Sequence, residues 1–132
     1  MAAYGAKKGI VINLENDNPA SEDPFFLVSV IEKANHPWLH ALPDFGNSLA
    51  ERDPEFNDRA MKAMFRHAYC ISHMKDGEYK DNGEFAAVDV PKTFAIAKAA
   101  GYRGYFSIEW EGHGDPFDAT ARLVNECLKN LA

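Results

Sequence analysis

Basic clusters, a cysteine framework, long apolar runs and low-complexity linkers are all missing from this chain, and each gap argues against a class of function. Net charge is −6, with no local concentration of lysine and arginine, so binding nucleic acid by neutralising phosphates is not expected. No apolar run approaches the roughly 20 residues that cross a bilayer. Residues 1–8 are small and basic but have no apolar centre, unlike a secretory signal. The two cysteines, Cys70 and Cys127, lie in apolar surroundings and form no spaced framework. We read both as reduced and buried, in a cytoplasmic protein. With 46% hydrophobic and 26% charged residues the composition is that of an ordinary globular domain, neither disordered nor fibrous. Its 132 residues are one domain's worth of chain, so a single domain over residues 1–132 is expected.

What is present is a repeating order of strand and helix. Strands are predicted over residues 9–15, 38–42, 69–72 and 105–110, from short branched and aromatic runs bounded by turn residues. Helices are predicted over 24–34, 54–68, 91–100 and 116–131. A polar turn is expected over 16–20, and a longer polar loop holding Gly77 and Gly83 after the third strand. Three helix starts share one device: Asp23-Pro24, Asp53-Pro54 and Asp115-Pro116 each set a capping carboxylate before a proline that has no amide hydrogen to leave unpaired. Asp89-Val90-Pro91 is a looser version. The second helix carries Phe56, Ala60, Met61, Met64, Phe65 and Ala68 on one stripe, and the last carries Phe117, Ala121, Val124, Leu128 and Leu131. Four βα units in succession predict an α/β fold with a parallel sheet and right-handed crossovers.

Each strand ends in a side chain able to bind a divalent cation: Glu15, Asp44, His73 and Glu109. They lie 29, 29 and 36 residues apart, about one βα unit each, so a parallel sheet brings all four to one edge. Three carboxylates and an imidazole suit Mn²⁺, Mg²⁺ or Co²⁺, with Zn²⁺ a further option. Without a cation, like charges this close raise one another's pKa. Taken singly, each residue is explained as well by a solvated strand end, a helix cap or a packed histidine; the recurrence at four successive strand ends is not. Strand parity agrees. If the four ligands share a face, Asn13, Leu42, Ile71 and Ser107 share it. The opposite face then holds Ile10, Ile12, Leu14, Leu39, Ala41, Cys70, Phe106 and Ile108, all fit for burial under helices.

The succession Leu14-Glu15-Asn16, Asp44-Phe45-Gly46-Asn47, His73-Met74-Lys75-Asp76 and Ser107-Ile108-Glu109 resembles the sugar isomerase/epimerase family with the xylose isomerase-like TIM barrel. The match runs over nearly the whole chain but only to barrel strands five to eight, a half-barrel; residues 1–9 look like the end of the fourth helix. The resemblance implies that Glu15, Asp44, His73 and Glu109 hold a metal and that Glu15 and Glu109 exchange protons with a keto sugar or related polyol through a cis-enediolate. Dehydration, as in inosose dehydratases, is the alternative at the same site; a non-catalytic half-barrel is a third. Lys75 is open between a substrate-binding role and that of a surface loop lysine. Asn47, Glu111, Trp110 and His113 are candidates for the pocket rim, Trp110 equally for packing. A full barrel takes about 250 residues, so the inner face and both sheet edges need covering. A homodimer, a second chain completing the barrel, or a smaller open sheet would each do so, and self-association is the preferred expectation.

Overall fold

A computed structural model describes residues 1–17, 23–49, 53–80 and 82–131. The polar turn expected over 16–20 therefore lies partly outside the described residues. The elements run α1 (Ala2–Lys7), β1 (Ile12–Glu15), α2 (Pro24–Ala34), β2 (Leu39–Leu42), α3 (Pro54–Phe65), β3 (Ile71–Met74), β4 (Gly77–Tyr79), β5 (Phe85–Ala87), α4 (Val90–Ala99), β6 (Tyr105–Ile108) and α5 (Pro116–Leu131). The capping device works as the sequence suggests. Asp23 accepts from the amides of Phe25 and Phe26, Asp53 from Phe56, Asp89 from Lys92 and Asp115 from Phe117 and Asp118, holding the first-turn donors that a helix leaves unpaired.

β1 pairs in parallel with β2, and β3 with β6. Between these pairs, parallel bridges Ala41↔Ala68 and Asp44↔His73 join β2 to β3, giving the order β1-β2-β3-β6. The run from Ala41 to Asp44 faces the longer run from Ala68 to His73, so the second join bulges. Pro43 sits there without an amide hydrogen. Its carbonyl accepts from the His73 amide at 3.0 Å and from Ser72 Oγ at 2.6 Å. This bulge is why the third strand begins at Ile71, later than the sequence suggested, and it sets Asp44 beside His73.

The helices cover one face of the sheet. Ala60, Met61, Met64 and Phe65 of α3 are buried, as the stripe predicted, with Phe94 and Ala97 of α4 and Leu27 and Ile31 of α2. Phe45 sits at the centre, its ring against Phe65, Phe94 and Phe106. Ile12, Leu14, Leu39, Ala41, Phe106 and Ile108 pack with this core, as parity required. Ile10 is exposed, because it precedes β1. Cys70 also departs: it is half-buried, with Asn13 Nδ2 donating to its sulfur at 3.6 Å, since the bend before β3 turns it to the other face.

One further expectation is corrected. The loop after the third strand contains a β-hairpin, β4–β5, paired antiparallel; Gly77 lies so close under Phe85 that a Cβ would meet the ring at 2.3 Å. On α5 the buried residues are Leu123 and Cys127, whereas Phe117, Val124, Leu128 and Leu131 are exposed. Among the described residues, no helix is long and apolar enough to cross a membrane.

Candidate metal centre

Glu15 ends β1, Asp44 follows β2, His73 lies near the end of β3 and Glu109 follows β6. The parallel register brings one donor atom from each within 4.8 Å of all the others. Ions of the Mg²⁺ size hold opposite ligands about 4.2 Å apart, twice a bond of 2.0–2.1 Å. The widest spacing allowed therefore exceeds this by only about 0.6 Å. His73 Nδ1 is 2.8 Å from Glu15 Oε1 and 3.4 Å from Glu109 Oε2, so positive charge is already called for at this point.

Asp44 is the anchor. Its Oδ1 accepts from the amides of Gly46 at 2.9 Å and Asn47 at 2.7 Å. Its Oδ2 is buried with no hydrogen-bond partner. An unpartnered buried oxygen costs free energy, and a cation would satisfy it. Asn16, wholly buried, fixes the backbone here: its Oδ1 accepts from the Asp44 amide at 2.8 Å, and its Nδ2 donates to the Asp44 carbonyl and to Ser48 Oγ. Burial pushes the Asp44 carboxyl well above the usual carboxylate range, against the pull of Lys75 and the two amides. A bound cation acts in the opposite sense.

Lys75 is not a surface lysine. It is only 1% exposed and spends its donors on Asn47 Oδ1 at 2.8 Å, Glu78 Oε2 at 3.2 Å and Glu111 Oε2. Asp44 and Glu109 lie at 3.6 and 3.5 Å. Burial alone would lower its pKa, but Asp44, Glu111 and Glu78 outweigh burial and hold the ammonium above the usual lysine range. Glu111 is held below the usual carboxylate range, first by the hydrogen bond from Lys75. Five carboxylates (Glu15, Asp44, Glu78, Glu109 and Glu111) thus surround one ammonium and one imidazole, and a divalent cation would offset much of the remaining negative charge. The donor set, the convergence and the orphaned oxygen all fit such an ion.

The structure also shows where the rim candidates stand. Asn47 and Glu111 contact Lys75. Trp110, half-buried, packs against the core and with His113 lines a cleft of about 190 Å³ beside the hairpin. Two contributors were not singled out in the sequence. Asn16 acts through Asp44, and its only sequence signal is its place after Glu15. Glu78 reaches Lys75 because the hairpin turns it inward.

Comparison with known proteins places this arrangement. A stretch of 53 residues is 40% identical to the C-glycoside deglycosidase alpha subunit of Arthrobacter globiformis, covering 35% of this chain and 15% of that protein. Among solved structures, a xylose isomerase-like TIM barrel protein from Mycobacterium smegmatis in complex with magnesium matches at TM-score 0.71 and 17% identity, over 99% of this chain and 48% of that one. The xylose isomerase domain protein of Planctomyces limnophilus matches at 0.70 and 22%, over 98% and 48%. D-allulose 3-epimerase from Methylomonas sp. matches at 0.66 and 21%, over 98% and 50%. The chain therefore spans about half the length of the barrels it matches, as a half-barrel does. The family model for the xylose isomerase-like TIM barrel matches residues 1–131, and the chain belongs to that family.

Proposed function

We propose that this chain supplies the metal-binding half of a sugar isomerase or epimerase that uses Mg²⁺, Mn²⁺ or Co²⁺ and works through a cis-enediolate. The observation that carries the reading is the convergence of Glu15, Asp44, His73 and Glu109 within 4.8 Å. When bound, the cation would polarise a substrate carbonyl and stabilise the oxyanion that develops on it. Burial divides the labour among the residues. Asp44 is closed off and can only hold, whereas the side chains of Glu15 and Glu109 are 26% and 33% exposed and face the open end of the sheet. These two suit proton exchange: one carboxylate removes the proton from the carbon next to the carbonyl, and the other returns one to the same or the neighbouring carbon. Lys75 has its three donors committed to protein acceptors, so it fits the positioning of Glu111, Asn47 and Glu78 better than direct contact with the sugar. The two free thiols suit a reducing, cytoplasmic setting.

Elimination at the same site is the second reading, favoured by the local identity to a C-glycoside deglycosidase subunit. Removing a proton next to a carbonyl also prepares loss of the group on the adjacent carbon. Metal content after dialysis, and deuterium uptake by a panel of ketoses in heavy water, test the main reading. Stoichiometric metal lost in Glu15→Gln and Asp44→Asn, with exchange into one ketose carbon, is expected. Absence of both bound metal and exchange refutes the reading, and an absorbing enone product would select elimination.

A further inference from the structure

The segments that follow β3 and β6 build a second feature at the metal-centre edge of the sheet, the cleft of about 190 Å³ beside the hairpin. One wall is the hairpin, with Tyr79 and Phe85; the other is the connection from β6 to α5, with Trp110 and His113. Glycines shape both walls. A Cβ on Gly77 would meet the Phe85 ring at 2.3 Å, and one on Gly112 would meet Trp110 Nε1 at 2.6 Å, so each ring lies against bare backbone. Two contacts tie the walls together. The Tyr79 ring stands 5.1 Å from Phe85 and 4.9 Å from His113, centroid to centroid, and Arg122 of α5 pairs with Asp76 at the end of β3. The cleft also borders the metal centre: Glu111 lines it and accepts from Lys75, whose Nζ is 3.5 Å from Glu109 Oε2.

We infer that this cleft receives an aromatic ring, bearing a hydroxyl, that is attached to the sugar at the metal centre. A cavity of about 150 Å³ is enough for benzene, so the cleft takes one six-membered ring and little more. Chemistry favours an aryl ring over a second sugar. A pyranose carries hydroxyls around its whole edge, and Phe85 and the ring faces of Tyr79 and Trp110 give them no partner. An aryl ring meets aromatic neighbours edge-on or offset, as these walls allow. Asp76, Glu111, His113 and Arg122 supply donors and acceptors for one ring hydroxyl. The inference deepens the proposed function and rests on it in one respect, that the molecule carrying the ring is a sugar; recognition of the ring itself needs no cation.

Calorimetric titration of the metal-free chain with 4-hydroxyphenyl β-D-glucoside and with methyl β-D-glucoside tests it. The aryl glucoside is expected to bind about tenfold tighter or more, each aromatic pair being worth about two- to tenfold. Phe85→Ala and His113→Ala, both at exposed positions, should each cut that preference about threefold or more, with far-ultraviolet circular dichroism matching the parent. Saturation-transfer NMR of the parent, which needs no variant, should mark the phenyl protons more strongly than those of the sugar. Equal binding of the two glucosides overturns the inference. So does a preference that neither variant reduces, which puts the ring elsewhere, or saturation heavier on the sugar protons, the sign of a sugar stacked in the cleft. Titration with Mn²⁺ separates the two readings. A chain that prefers the aryl glucoside but binds no metal keeps the cleft and loses the centre, whereas metal binding and ketose exchange without that preference refute only the cleft.

Discussion

Asp44→Asn separates a metal ligand from a structural carboxylate. The substitution keeps the shape, and the amide oxygen can still accept from Gly46 and Asn47. It removes one carboxylate from a cluster in which five face one ammonium, and replaces the orphaned Oδ2 by a hydrogen-bond donor. Without metal, stability should change by only about 1 kcal/mol, since Lys75 keeps Glu78, Glu109 and Glu111 as partners and no buried charge is left unpaired. With metal the outcome differs. At a concentration one hundred times Kd, binding stabilises the parent by about 2.7 kcal/mol, or about 10 °C in Tm for a domain of this size. Even loss of an outer partner costs metal sites about 10- to 100-fold in affinity, so loss of a ligand should cost about a hundredfold or more. The same metal concentration then gives the variant at most about 0.4 kcal/mol, under 2 °C or about that. Thermal melts with and without Mn²⁺, backed by calorimetric titration, measure both arms. If the metal-free variant melts far below the parent, or keeps the parent's metal-induced rise, Asp44 is a structural residue and the centre is wrongly assigned.

Lys75→Met takes away the ammonium and leaves Asp44, Glu78 and Glu111 facing one another. Metal-free stability in urea should fall by about 3 kcal/mol or more, with a larger recovery on adding Mn²⁺ than the parent shows. Asn16→Ala removes the amide that ties the Asp44 backbone to Ser48; metal affinity should drop about 10- to 100-fold by titration, with exchange activity falling in step. Phe45→Ala opens the centre of the aromatic cluster and should cost about 3–5 kcal/mol in a denaturant melt, while metal affinity changes much less if the fold survives. Gly77→Ala drives a methyl into the Phe85 ring and the Ala86 carbonyl; hydrogen exchange should show the β4–β5 amides losing protection first.

The site was more legible than its surroundings, and the reason lies in the fold. In a parallel sheet, residues at the ends of successive strands are neighbours whatever happens between them, so Glu15, Asp44, His73 and Glu109 could be paired by counting βα units. Burial of Lys75 could not be read that way. A lysine in a polar loop is ordinarily solvated, and what buries this one is a set of acceptors from three separate segments: Asn47, Glu78 and Glu111. The hairpin escaped notice because its strands are three residues each and sit among Asp, Asn, Gly and Lys, which dilute any alternation. What the α5 stripe packs on was not legible for a different reason. Periodicity finds apolar stripes but not what they pack on, and this helix has both Leu123 and Cys127 turned to the core and a second, longer stripe turned outward.

The openness of the sheet's inner face bears on the proposed catalysis. Every residue proposed to hold the cation belongs to these four βα units. The open inner face is another matter. Tyr105, on the same face as Glu109, is 82% exposed, and on the proposed mechanism a site this open would let water compete for the cation and for the enediolate. Electrostatic stabilisation gains most where water is kept out. On that mechanism metal binding and proton exchange should respond differently to anything that covers the inner face, since a cover leaves the four donor atoms in place but keeps water from the reacting carbon. A chain that binds metal equally well in either state, yet exchanges protons only when its inner face is covered, is the outcome expected of the proposed mechanism.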